Sequence, residues 1–136
     1  MIDQFNVDPI NFYVQRNSSF DKQDVPIEFN VELVNSGGAM DLRTVIFTAP
    51  RPGIYFFSFS GISNDISIGQ YVNNKRISSG YGTTSSSETF IVQSALHLNA
   101  GDKVSVKIFD GGALYDDNDN HYTHFIGWLL QEEISY

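Results

Sequence analysis

Apolar side chains occupy every second position in most segments of this sequence, a pattern typical of half-buried β-strands. The alternation is found in residues 10–14, 27–33, 55–59, 92–98, 104–108 and 126–130. Gly, Pro, Asn and Ser cluster between these runs, where they favour turns. No segment of a dozen residues shows the 3.6-residue period of an amphipathic helix. Many short strands separated by turns predict an all-β fold, either a sandwich or a barrel.

Two segments do not alternate and are predicted to be loops. Residues 78–89 are small and polar, which indicates a mobile surface loop, and residues 110–122 form an acidic connection between two strands. Neither segment is long enough to separate two domains, and the chain contains no internal repeat. We therefore expect one domain, residues 10–136, preceded by an N-terminal extension of residues 1–9.

Composition narrows the classes of partner. The 136 residues include 16 Asp and Glu against 8 Lys and Arg, which gives a formal net charge of −8. Nucleic acids and anionic membranes are bound by clustered Lys and Arg, so this balance argues against both. An acidic surface instead favours cationic partners or neutral sugars. The chain has no cysteine for a disulfide or a thiol nucleophile, and no apolar run reaches the roughly 20 residues that cross a bilayer.

A longer pattern of apolar residues carries a resemblance to a known family. The spacing is Phe29, five residues, Asn35, four, Met40, six, Phe47, five, Gly53, and then Tyr55, Phe57 and Phe59 at alternate positions. This spacing resembles the signature of the C1q domain, the globular head of complement C1q, adiponectin-like hormones and cerebellin-like proteins. Only Met40 departs, where the family usually carries an aromatic residue or Leu. The flanking stretches LHLNAGDKV and FIGWLL agree, so the resemblance covers about residues 10–133.

The resemblance implies a ten-stranded jelly-roll sandwich related to tumour necrosis factor, which assembles as a homotrimer. It also implies a secreted, extracellular protein, although the first residues do not read as a secretory signal. Independently of the family, the large rings of the pattern are expected to fill the core, and a glycine between Phe125 and Trp128 to admit a neighbouring ring. The predicted core residues are Phe12, Phe29, Phe47, Tyr55, Phe57, Phe59, Phe125 and Gly127.

Two predicted strands are apolar on both faces. In residues 53–60 and 124–130 the face opposite the predicted core still carries large apolar side chains. A monomeric sandwich would present a polar face to water there, so the outer face is expected to be covered by another subunit. The alternative is a cover formed by loops of the same chain. The candidate trimer-interface residues are Tyr13, Phe56, Ile126, Trp128 and Leu130.

The chemistry of the polar residues does not favour an enzyme. Ser and His are present, but nothing resembles a nucleophile elbow or another catalytic motif. The run from Asp116 to Asn120 offers the oxygen ligands that calcium prefers, although it is not an EF-hand, and the alternative is a solvated acidic loop. Relatives that bind calcium near the trimer apex use an Asp immediately before a Tyr, whereas Gly80 precedes Tyr81 here. No cofactor is required, calcium is a candidate ligand, and the candidate metal-binding residues are Glu88, Asp116, Asp117 and Asp119.

Two functional classes remain open. The first is a lectin-like recognition head of innate-immune type, which binds a glycan, a microbial surface molecule or a receptor through its loops. The second is a trimerisation or cytokine-like head that engages one protein receptor. Tyrosine rings in the loops have the amphipathic character favoured at recognition surfaces. The candidate ligand-binding residues are Tyr81, Glu88, Tyr115, Asp116, Asp117, Asp119 and Tyr122.

Overall fold

The structure, a computed structural model, describes residues 8–63, 65–82 and 88–134, and of Glu88 only the backbone. These residues form ten strands and no helix, so none of them builds a helix that would cross a membrane. The strands are β1 Asn11–Gln15, β2 Val31–Ser36, β3 Met40–Asp41, β4 Ile46–Thr48, β5 Gly53–Ser63, β6 Ile66–Val72, β7 Lys75–Gly82, β8 Glu88–Leu98, β9 Lys103–Gly111 and β10 His124–Glu132. The predicted all-β class is confirmed.

The strands form two antiparallel sheets of five strands each. The first sheet has the order β2-β1-β10-β5-β8 and the second has the order β3-β4-β9-β6-β7. Most neighbours within a sheet are distant in sequence, as expected for a jelly roll. We call the end that carries residues 112–123 the apical end, and the end where β1 begins and β10 ends the basal end.

Aromatic rings fill the space between the two sheets. The Phe12 ring centroid lies 5.4 Å from that of Phe47 and 4.9 Å from that of Phe125, and the Phe47 centroid lies 5.3 Å from that of Phe57. Phe47 belongs to the second sheet and the other three rings to the first, so these contacts hold the sheets together. All seven rings expected in the core are at most 3% exposed.

Gly127 is placed where two of these rings cross β10. A Cβ atom at this position would lie 2.6 Å from Cε2 of Phe12 and 2.7 Å from Cδ1 of Phe57. Both distances are shorter than van der Waals contact, so any larger residue would force the rings apart. The glycine between two large residues therefore serves the close packing of the core.

The strand predicted over residues 27–33 is only partly correct. Ile27 and Phe29 are buried, but they precede β2, which begins at Val31. The pairing of β1 with β2 shifts register between Tyr13 and Val14, and Leu33 is left 53% exposed. Such a bulge adds one residue to a strand and reverses the faces of the residues beyond it. Strict alternation could not reveal this reversal.

The prediction of a mobile loop over residues 78–89 is wrong for the residues that the structure describes. Residues 78–82 belong to β7, which pairs with β6, and residues 88 and 89 begin β8. A Cβ atom at Gly80 would lie 2.6 Å from Cγ2 of Val92, so a small residue lets β7 approach β8. Small polar residues here reflect an edge strand with close neighbours. Residues 83–87 lie outside the described part of the chain.

Candidate assembly and recognition surfaces

The outward side of the first sheet carries little formal charge, and at its basal margin Nε2 of His97 lies 2.5 Å from Oε1 of Glu133. We call it the first-sheet face and define it by the outward residues of four of its five strands, β1, β10, β5 and β8. They are Asn11, Tyr13, Gln15, His124, Ile126, Trp128, Ile54, Phe56, Ser58, Ser60, Ile62, Thr89, Ile91, Gln93, Ala95 and His97. None of these described residues is Asp, Glu, Lys or Arg, although 24 residues of the chain are.

The large side chains of this face cluster around β10. The Phe56 and Trp128 rings lie 4.8 Å apart between centroids, and Tyr13 of β1 is paired with Ile126 of β10. A shallow groove of about 430 Å³ runs along β1 and β10, with walls that include Tyr13, Val34 and Trp128. Four of the five candidate interface residues are therefore neighbours on one surface.

Leu130, the fifth candidate, occupies a different position in the strand. The pairing of β10 with β5 shifts register between Leu129 and Gln131, which leaves Leu130 as an extra residue that is 59% exposed. It lies at the basal end of the face, where Ile134 is also exposed. The bulge continues the apolar surface beyond the regular part of the sheet.

His124 is a titratable group within the apolar first-sheet face. Its Nε2 atom lies 2.7 Å from Oγ of Ser60, and its ring packs edge-on against Tyr13. Burial lowers the pKa of His124 below its ordinary value of 6.5, and the nearby charge of Asp116 only partly opposes this effect. His124 is therefore neutral at pH 7, and the face keeps its uncharged character.

The apical loop, residues 112–123, is organised by a buried carboxylate. Asp116 is 5% exposed, and its Oδ1 accepts backbone N–H bonds from Asp117 at 2.8 Å and Tyr122 at 2.9 Å. Its Oδ2 accepts the backbone N–H of Thr123 at 2.7 Å, and its own N–H donates to Oγ of Ser19 at 3.1 Å. Both carboxylate oxygens of Asp116 thus accept hydrogen bonds from the backbone of their own loop and stabilise its conformation.

Asp117 stabilises the tip of the same loop. Its Oδ1 accepts the backbone N–H groups of Asp119 at 3.0 Å and Asn120 at 2.8 Å, and its Oδ2 accepts the hydroxyl of Tyr115 at 3.1 Å. The side-chain and backbone hydrogen bonds from Asn120 lower the pKa of Asp117. The acidic run is therefore a turn capped by its own carboxylates.

Arg16 anchors the apical loop to the end of β1. Although it is 6% exposed, its guanidinium donates to the backbone oxygens of Ser18, Ser19 and Glu28. The backbone oxygen of Arg16 lies 2.9 Å from Nδ1 of His121. Desolvation lowers the pKa of Arg16, and the charges of Glu28 and Asp116 oppose that shift. The loop is held by a buried polar network that reaches the sheet.

The tyrosines of the apical loop remain available to a ligand. Tyr115 is 49% exposed and Tyr122 is 38% exposed, and their ring centroids lie 6.1 Å apart. Tyr81 lies in β7 and not in a loop, with its ring 56% exposed and its hydroxyl 3.4 Å from Oδ1 of Asp65. Glu88 begins β8, and its side chain lies outside the described residues.

Among the described residues, the acidic run does not bring three metal-ligating side chains together. In residues 8–63, 65–82 and 88–134, no three Asp, Glu or His side chains converge on a point where a metal ion would bind. The reason is visible at Asp116 and Asp117, whose oxygens face backbone N–H groups of their own loop. Of the predicted metal-binding residues, only Asp119 presents an exposed carboxylate without such a role in the described structure.

The loop network generates a prediction for Asp116. In Asp116→Asn one acceptor oxygen becomes an amide donor that faces a buried backbone N–H, so we expect the free energy of unfolding to fall by about 1–3 kcal/mol. Asp119→Asn, at the exposed tip, is expected to change it by less than about 0.5 kcal/mol. Urea denaturation at one protein concentration measures both values. Equal effects of the two substitutions would contradict the assigned role of Asp116.

The pKa of His124 generates a prediction of pH dependence. Because the folded state disfavours the charged ring, the unfolded state binds the proton more readily, and stability is lost as the pH falls below about 6.5. His124→Gln, which keeps a polar partner for Ser60, should flatten this part of the stability profile. Urea midpoints measured between neutral and mildly acidic pH test it, and identical profiles for both proteins would refute the assignment.

Comparison with known proteins identifies the family. A model of the C1q domain matches residues 11–130. Complement C1q tumor necrosis factor-related protein 3 of Mus musculus is 33% identical over 129 residues, which cover 90% of this chain and 52% of that protein. Complement C1q tumor necrosis factor-related protein 2 of Homo sapiens is 28% identical over 130 residues, which cover 90% of this chain and 46% of that protein. This chain thus spans about half the length of these curated relatives.

Solved structures share the fold. The globular domain of zebrafish complement 1qA protein superposes with a TM-score of 0.75 at 23% identity, covering 93% of this chain and all of that one. The Eiger TNF of S. frugiperda superposes with a TM-score of 0.71 at 14% identity, covering 95% of this chain and 97% of the other. The jelly-roll topology and the match over residues 11–130 confirm the resemblance seen in the sequence, and the chain belongs to the C1q domain family.

Proposed function

We propose that three copies of this chain associate through their first-sheet faces into a homotrimer, which acts outside the cell as a non-enzymatic recognition module. The observation that carries this proposal is that the outward residues of β1, β10, β5 and β8 include no Asp, Glu, Lys or Arg, in a chain of net charge −8. A face of this kind is removed from water without the cost of desolvating ions. The interface residues are Tyr13, Phe56, Ile126, Trp128 and Leu130.

The geometry of the face suits association between copies. Ile91 and Leu130 are 57% and 59% exposed at its margins, so the described chain does not cover its own apolar surface. Phe56 and Trp128 form a central aromatic pair, and aromatic residues at the centre of an interface carry much of its binding energy. Three copies related by a threefold axis close a ring and leave no apolar face exposed.

The apical loops are the proposed ligand-binding surface. Tyr115 and Tyr122 stand on a loop that is already ordered by the bonds of Asp116 and Asp117, so little conformational entropy is lost on binding. Three such loops on one trimer would convert weak single-site binding into avidity. The ligand classes are glycans and microbial surface molecules, and the second candidate is one protein receptor, which the similarity to a TNF fold favours.

Oligomeric state tests the assembly. Wild-type protein at micromolar concentration is expected to sediment as three subunits of 15.3 kDa, and Trp128→Glu as a folded monomer, because a carboxylate would be buried without a partner. Ile77→Glu, on β7 of the other sheet, introduces the same charge and should stay trimeric. Far-ultraviolet circular dichroism checks the fold of each protein. A wild-type protein that sediments as a monomer would contradict the proposal.

Ligand binding tests the function of the apical loop. The wild-type trimer should bind a subset of an array of neutral and acidic glycans, and Tyr122→Ala should weaken that binding by about tenfold or more, as expected for an aromatic contact residue. Leu33→Ala, an exposed apolar residue on β2, is the control. The array is probed with and without millimolar calcium. An empty array, together with saturable binding to one cell-surface protein, would favour the receptor-binding alternative.

A further inference from the structure

Half of the basic residues of this acidic chain lie together on the second sheet. Arg16 is buried at the apical end, and three other cations are ion-paired with carboxylates: Lys22 with Glu28, Arg43 with Asp41 and Arg51 with Glu132. The remaining four form no ion pair with any described carboxylate. We call them, with the two rings beneath them, the basic face: Lys75, Arg76, Lys103, Lys107, Tyr71 and Phe109.

Two of these cations are held against aromatic rings. The guanidinium carbon of Arg76 lies 3.8 Å from the Phe109 ring centroid, and Nζ of Lys107 lies 4.8 Å from the centroid of Tyr71. Arg76 reaches across β6 because Gly69 has no side chain, where a Cβ atom would lie 2.7 Å from Cδ of Arg76. Cation–π contacts fix both side chains over the sheet. Nζ of Lys107 also donates to Oδ1 of Asn74 at 3.5 Å, and its other N–H groups remain available, as do those of Arg76.

The other two cations extend the basic face toward the basal end. Lys103 stands on β9 beside Thr48, with 3.4 Å between its Nζ and Oγ1 of Thr48, and Lys75 follows the turn between β6 and β7. Carboxylate-bearing residues border the region, among them Asp24, whose backbone N–H donates to the backbone oxygen of Ile108 at 2.8 Å. Asp102 is engaged by Asn73 and the backbone N–H of Asn99, and Asp110 lies across from Ser67 at the apical end. Lys75, Lys103 and Lys107 therefore place positive charge on the basal half of this sheet, and the guanidinium of Arg76 extends it to Phe109, beside Asp110.

We propose that the basic face binds a sulfated polysaccharide. Uncompensated positive charge in a chain of net charge −8 attracts an anion locally, and the paired N–H donors of Arg can bond two oxygens of one sulfate or carboxylate group. The half-exposed rings of Tyr71 and Phe109 add apolar surface against which a sugar ring packs. Positive charge and aromatic surface therefore lie together on β6, β7 and β9.

The observations favour a polysaccharide over the other common polyanions. Tight binding of nucleic acid rests on many phosphate contacts, whereas this face has four cations. An anionic membrane is a broad surface that would also approach the apical end of the molecule. The carboxylates of the apical loop would repel it. A sulfated chain is narrow and its charges lie on saccharide rings, so it fits one face of a sheet without approaching the carboxylates of the apical loop.

The basic face remains accessible in the proposed trimer. It lies on the outward side of the second sheet, and the first-sheet face lies on the opposite side of the sandwich. The contacts that define it occur within one subunit, so the inference does not depend on trimer formation. Where the trimer forms, three basic faces point outward around it and one long chain contacts more than one of them, which raises the avidity.

Binding to heparin as the sulfated probe tests this inference. Wild-type protein is expected to bind heparin at low salt, with an affinity that falls as salt rises because counterions are released. Arg76→Gln with Lys107→Gln should weaken binding by about tenfold and lower the log–log salt slope by about 1–2, since two contacts are lost. The control, Lys22→Gln with Arg43→Gln, removes the same net charge from paired, exposed positions and should keep wild-type affinity.

Each outcome decides the question. Selective loss in the first double variant, with unchanged circular dichroism, supports the basic face. Absence of heparin binding by the wild type, or equal loss in both double variants, overturns it. Single-stranded DNA and vesicles of anionic phospholipid serve as further probes, and binding to either as tightly as to heparin would overturn the assignment to a polysaccharide. Neutral dextran should not bind.

Discussion

The packing of aromatic rings between the two sheets is the constraint on which the other surfaces depend. Phe12 and Phe57 meet over Gly127, and this contact fixes how β1, β10 and β5 lie against one another. Side chains alternate along a strand, so an inward row of rings determines the outward row. The outward positions of β10 and β5 then carry Ile126, Trp128 and Phe56, and the filled core leaves these side chains on the outside of the sandwich.

Three regions of this frame differ in the charge that they carry. The residues that define the first-sheet face include no Asp, Glu, Lys or Arg, the apical loop holds carboxylates that accept hydrogen bonds from its own backbone, and the basic face holds half of the Lys and Arg residues. Net charge alone therefore misrepresents the chain as uniformly acidic. A composition that disfavours anionic partners on average is compatible with one anion-binding face, because screening at physiological salt confines each charge to about 8 Å around itself.

The fold was predictable from the sequence where local patterns determine it. Alternation and ring spacing are properties of single strands, and they predicted the sheets and the buried residues such as Phe47. The exposure of Leu33 depends on a bulge, which is a property of two paired strands. The basic face escaped prediction for the same reason, because Arg76 and Phe109 meet only through the register of β7, β6 and β9. The turn at Asn73 and Asn74 was the available signal, since it pairs β6 with β7.

The acidic run shows why residue type alone did not identify its role. Oxygen ligands close in sequence suggest calcium, but Asp116 is buried against the backbone N–H groups of Tyr122 and Thr123, so its charge is already satisfied. Thr123 immediately precedes His124, whose ring belongs to the first-sheet face and contacts Ser60. The carboxylate of Asp116 thus bonds to the residue that immediately precedes the first-sheet face, through which the subunits are proposed to meet. Burial of that surface would restrain the start of β10, and with it the loop that carries the exposed tyrosines.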